Sequence, residues 1–156
     1  NLGLGSENKT VMIKEFDESS SNTISEIDQN SAYFKKKFRI LNIFKKKNFY
    51  TETEIKISKL YDYLQSNNIE KIQFLKIDTE GSEFEILKGI DDKIRDINLI
   101  YFEHHFDLML RKNYKFRDIH NLLKEKKFKK IFKIKMPLRK VFEYIYINEK
   151  KEKNKS

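Results

Sequence analysis

The chain has 156 residues, a length that fits one domain. It contains no cysteine, which excludes disulfides and thiolate metal sites, and no apolar run approaches the roughly 20 residues of a membrane span. The net charge of +9 is uneven: residues 111–156 hold 17 Lys and Arg against 5 Asp and Glu, while residues 1–110 hold 16 against 19.

A basic C-terminal third suits nucleic acid, anionic lipid or an acidic glycan, or simply a solvated lysine-rich surface. These lysines flank apolar strands and a helix and form no motif of a known nucleic-acid reader, so no specific nucleic-acid partner is expected. The N-terminus is polar and unlike a signal peptide, which makes a cytoplasmic location the default expectation. The chain starts at Asn1 rather than Met, as a fragment or processed chain would. Its 13 Phe and 8 Tyr supply bulky core material.

In chain order, Val11 and Ile13 alternate and predict a short strand after a glycine turn. The serine-rich segment DESSSNTISEID predicts a loop, in which Ser19–Thr23 could line a site or only meet solvent. Residues 31–50 mix aromatics with two Lys triplets and suggest an inserted excursion. Ile55 and Ile57 alternate in a strand over 51–57. Ser58 is placed to cap a helix ending at residue 66, with Leu60, Tyr61 and Leu64 on one face.

The apolar run over 72–78 predicts a strand covered on both faces. A helix over 80–88 follows, with Glu80 and Glu83 at its positive end, Lys88 near its C-terminus and Gly89 at the C′ position. Residues 97–103 predict a second buried strand. An amphipathic helix over 115–126 carries Phe116, Ile119 and Leu123 as a stripe, with His120 at the core edge. Residues 128–135 and 141–147 predict strands joined by the turn MPLRK, and 149–156 a disordered basic tail. Strand–helix alternation implies an α/β fold with a parallel sheet and helical crossovers, ending in a hairpin that adds one antiparallel strand.

The residues FLKIDTEGSEFEILKGI, 74–90, resemble the central motif of the FkbM-type methyltransferases. That motif is a strand ending in K-I-D, an E-G-x-E turn and a helix ending in L-K-G. Lys76, Ile77, Asp78, Glu80, Gly81, Glu83, Leu87, Lys88 and Gly89 all match it. LIYFEHH resembles the family's next strand, SKLYDYL its preceding short helix, and LGLGSENKTVMI the segment after its third strand.

The resemblance covers residues 1–148. It implies the C-terminal half of a class I methyltransferase with a Rossmann-like sheet. The activity it implies is S-adenosylmethionine-dependent O-methylation of a hydroxyl on a sugar, glycolipid or other small metabolite. One departure weighs on the cofactor. The family's D-x-G-A-N-x-G loop and the acidic residue that binds the ribose have no match here, and the order of the matching elements places both upstream of Asn1. The chain is therefore expected to bind S-adenosylmethionine poorly. The competing reading is a non-enzymatic basic module for nucleic acid or anionic surfaces.

In such a fold, ligands bind at the carboxyl ends of parallel strands, which places Asp78 and Glu103 at one crevice. Asp78 is the first candidate to contact the methionine end of the cofactor or the acceptor hydroxyl, or else it caps the next helix. Glu80 and Gly81 form the tight turn beside it and join Asp78 as cofactor-binding candidates. Glu103, His104 and His105 form a second cluster, in which an imidazole could act as base, so Asp78, Glu103, His104 and His105 are the catalytic candidates. Spacing alone fixes no set of three metal ligands, and the metal question stays open.

Overall fold

A computed structural model describes residues 2–16, 26–27, 35, 50–106, 110–137 and 139–152. Strands β1 (Leu2–Gly5), β2 (Lys9–Phe16) and β4 (Tyr50–Lys59) form one sheet in the order β1-β4-β2. β1 runs parallel and β2 antiparallel to β4. The strand expected over 51–57 is thus real and longer, but it lies outside the sheet of the two apolar strands. Alternation of strands and helices in sequence does not by itself put all strands in one sheet. The two-residue strands β3 (Glu26–Ile27) and β7 (Leu110–Arg111) pair antiparallel, so the expected serine-rich loop contains a short strand. The expectations for Ser19–Thr23 and for the excursion over 31–50 fall outside the described residues, apart from Lys35 and Tyr50.

The main sheet holds β5 (Ile72–Ile77), β6 (Ile97–His105), β8 (Phe128–Lys135) and β9 (Val141–Asn148) in the order β5-β6-β9-β8. β5 and β6 are parallel neighbours, with Ile77 opposite Phe102. β9 is antiparallel to both β6 and β8, and it lies between them. The hairpin strand that follows β8 in sequence is therefore inserted, and β8 runs in the same direction as β5 and β6.

Three helices connect these strands: α1 (Leu60–Ser66), α2 (Glu83–Lys88) and α3 (Phe116–Glu125). A 3₁₀ turn over Asp91–Asp96, which the sequence pattern did not announce, leads into β6. A final helix, α4 (Glu149–Glu152), replaces the start of the expected disordered tail, and residues 153–156 lie outside the description. Ser58 is not the cap of α1. β4 continues through it, its hydroxyl donates to the Lys59 carbonyl at 3.2 Å, and Lys59 occupies the N-cap.

The core follows from period 2 in the strands and the stripe on α3. Ile77, Ile100, Phe102, Tyr144 and Tyr146 point to the helix-covered face, where they meet Ile86, Leu87, Ile119 and Leu123. Phe102 stacks between Tyr144 at 5.3 Å and Tyr146 at 5.7 Å, and Phe116 stacks on Tyr144 at 4.3 Å. Such ring pairs add to the transfer free energy of burial. The opposite face carries Phe74, Leu99, Tyr101, Phe132, Ile134 and Ile145 by register. Phe74 on this face is 56% exposed, so β5 is covered on one face and not on two.

Gly89 ends α2, but with φ −72° it does not adopt the left-handed conformation expected of a C′ glycine. Its reason is space. A Cβ there would sit 1.9 Å from the carbonyl oxygen of Gly5, so the end of α2 packs on the backbone of β1.

Candidate functional site

Side chains alternate along β6, and this sorts its last five residues onto two faces. Phe102 and His104 face the helices, whereas Tyr101, Glu103 and His105 face the open side. β6 runs on to His105, so Glu103 lies within the strand and not at its end. Because β5 and β6 are parallel and Ile77 pairs with Phe102, Asp78 leaves β5 at the level of Glu103, on the same sheet edge.

Between Asp78 and α2 the backbone makes a tight reversal. Glu80 has φ 48° and Gly81 φ 104°, both in the region that costs an L side chain conformational energy. Gly81 is required there by handedness. Ser82, and not Asp78, occupies the N-cap of α2, and helical residues begin at Glu83 instead of residue 80. Asp78 is exposed and pairs with Lys76 Nζ at 3.0 Å.

The reversal carries Glu80 to β6. His105 Nε2 lies 3.2 Å from Glu80 Oε2 and 2.9 Å from Glu103 Oε1. All three side chains are mostly buried. The imidazole is thus held between two carboxylates from two segments, and Lys112 Nζ donates to its backbone carbonyl. Tyr101 extends the same face. Burial, a hydrogen bond with Glu143 and the charges of Glu143, Glu103 and Asp78 push its hydroxyl up to about 12.

His104 is separated from this group. Its ring is buried against Phe106 at 4.7 Å, Phe116 at 5.8 Å and Tyr114 at 5.9 Å. Its Nδ1 has no hydrogen-bond partner among the described residues. Burial, with the charges of Lys112 and His105, lowers its pKa to about 3. A neutral imidazole in an aromatic pocket cannot share a proton with an acceptor on the other face of the sheet. His120 sits at the core edge as expected, its Nδ1 2.8 Å from the Tyr146 hydroxyl.

The structure therefore brings together Asp78, Glu80, Gly81, Glu103 and His105 and sets His104 apart. Sequence reasoning missed Tyr101 and Glu143. Tyr101 was findable, two residues before Glu103 on an alternating strand. Glu143 was not, because its place opposite Glu103 depends on β9 being inserted next to β6. Among the described residues, no group of three His, Asp or Glu side chains is arranged to hold a metal ion. No helix among them is long and apolar enough to cross a membrane.

One similar protein is Methyltransferase 1 of Beauveria bassiana (strain ARSEF 2860), 34% identical over 47 residues. That alignment covers 30% of this chain and 19% of the relative, so the chain spans only a small part of that protein's length. No solved structure matches the chain. The model of the methyltransferase FkbM domain matches residues 1–130, and the chain belongs to that family.

Proposed function

We propose that these residues form the acid–base side of an S-adenosylmethionine-dependent O-methyltransferase site on a class I, Rossmann-like sheet. The acceptor is a hydroxyl on a sugar, glycolipid or similar small metabolite. The observation that carries the reading is the placement of His105 Nε2 between Glu80 and Glu103, at the carboxyl end of two parallel strands. When bound, S-adenosylmethionine supplies a methyl group on a cationic sulfonium. The carboxylates of Asp78, Glu80 and Glu103 fit a positively charged ligand, and Asp78, the exposed one, would hold either its methionine end or the acceptor hydroxyl.

Methylation of a hydroxyl requires loss of its proton. Glu103, 2.9 Å from Nε2, orients the imidazole of His105, the candidate base. Glu80 adds negative charge beside the imidazolium that forms. The partly buried setting strengthens both effects.

Turnover is read as S-adenosylhomocysteine release with a panel of hydroxylated sugars and glycolipids. His105→Gln lowers it by about 10²-fold or more, the usual contribution of a positioned base. Asp78→Asn also lowers it strongly. Unchanged turnover in His105→Gln removes the base from this account, and unchanged turnover in Asp78→Asn removes the ligand contact. The chain itself is expected to bind the cofactor weakly, since no D-x-G-A-N-x-G loop occurs in its sequence. Micromolar affinity in a calorimetric titration would show that these residues suffice.

A further inference from the structure

Glu83 lies on α2 with 1% of its surface exposed, a costly place for a carboxylate unless donors surround it. Three do. The Gly81 backbone N–H donates to Glu83 Oε1 at 2.9 Å, and the Thr79 hydroxyl donates to the same oxygen at 3.3 Å. The Tyr114 hydroxyl donates to Oε2. Burial and the Glu83 charge raise the Tyr114 pKa, so the phenol keeps its proton and remains a donor. Two of the donors flank Glu80, the residue at φ 48° whose carboxylate reaches His105. The third comes from the segment before α3, far along the chain.

We propose that Glu83, anchored by Tyr114, is a positioning residue that holds the strained Thr79–Gly81 reversal so that Glu80 meets His105. A non-glycine residue with positive φ persists only where its surroundings over-determine it. Here the determinant is a buried carboxylate gripping the backbone on one side of Glu80 and a side chain on the other. Cutting that grip lets the reversal relax and withdraws Glu80 from the imidazole. The inference rests on the proposed site for its functional meaning, but not for its test.

The test is the titration of the His105 ring, followed by NMR in the chain without cofactor or acceptor. The chain has three histidines, and His104→Gln and His120→Gln assign the signals. Among the described residues, the charged groups beside His105 include Glu80 from the reversal, Glu103 on its own strand and Lys112 beyond β7, and the adjacent titratable group is His104, which stays neutral. Glu80→Gln should lower the midpoint by about one pH unit, a tenfold loss of proton affinity, because an opposite charge is removed.

Glu83→Ala should reproduce most of that shift, and should add nothing in a chain already carrying Glu80→Gln. If Glu83→Ala does not fold, Tyr114→Phe, which loses only a hydroxyl, should give a smaller shift with the same dependence on Glu80. A His105 midpoint unmoved by these changes overturns the proposal and leaves Glu83 a purely structural carboxylate. So does a shift of equal size with and without Glu80. Neither result bears on turnover, so a failure here is distinguishable from a failure of the methyltransferase reading.

Discussion

His104 and His105 are adjacent in sequence and opposite in chemistry. One rotation of the strand places the first among Phe106, Tyr114 and Phe116 and the second between two carboxylates. The pH dependence of stability follows from the first. With its pKa lowered to about 3 in the folded chain, His104 binds a proton more readily when unfolded. Its neutral form is therefore fully compatible with the fold above about pH 6.5, and stability is lost as pH falls from there toward 3. The slope from this one group is at most about 1.4 kcal/mol per pH unit. His120, also lowered by burial and then by Lys130 and Lys124, acts in the same sense. Denaturant melts of the wild type between pH 5 and 7 should show this loss, and His104→Phe should flatten it. An unchanged slope in that variant would show that His104 is not buried neutral.

At the scale of elements, α3 is the helix most fully specified by its own residues. Its Asp118 carboxylate accepts the Lys115 backbone N–H at 2.7 Å, closing the first turn, and Ile119 and Leu123 are fully buried. Leu123→Ala should cost about 2–5 kcal/mol, as cavity-forming changes in a packed core do, while exposed Asn121→Ala stays within about 0.5 kcal/mol. Equal melting of the two variants would mean that the stripe does not face the core. The same stripe made α3 legible from sequence. The K-I-D and E-G-x-E residues marked the candidate site because a strand end, a positive-φ glycine and a helix start leave a local pattern. Other features left none. The extent of β6 past Glu103 was hidden because His104 and His105 read as polar, although one is packed in aromatics. Ser58 looked like a cap because the strand it belongs to passes directly into α1. The separate pairing of β4 with β1 and β2, and the contact of Gly89 with Gly5, are long-range matters of which chain segment lies nearby.

For the molecule as a whole, the four-stranded sheet has one face packed by helices and another that shows Phe74, Phe132 and Ile134 to solvent. β5 is the last strand on its side among the described residues, so its outer backbone groups have no strand partner there. An apolar face beside an open edge favours pairing with another copy of the chain. Phe74→Lys should raise the concentration at which the purified chain self-associates in sedimentation velocity, without lowering its melting temperature. Identical association in the variant would place the contact elsewhere. The insertion of β9 between β6 and β8 has a consequence in time as well as in space. During synthesis β6 and β8 emerge first, yet they are never neighbours, and each must wait for residues 141–148 to supply the backbone that joins them. The sheet is thus completed from within by its last strand, and until that strand has left the ribosome β8 has no strand beside it in this sheet.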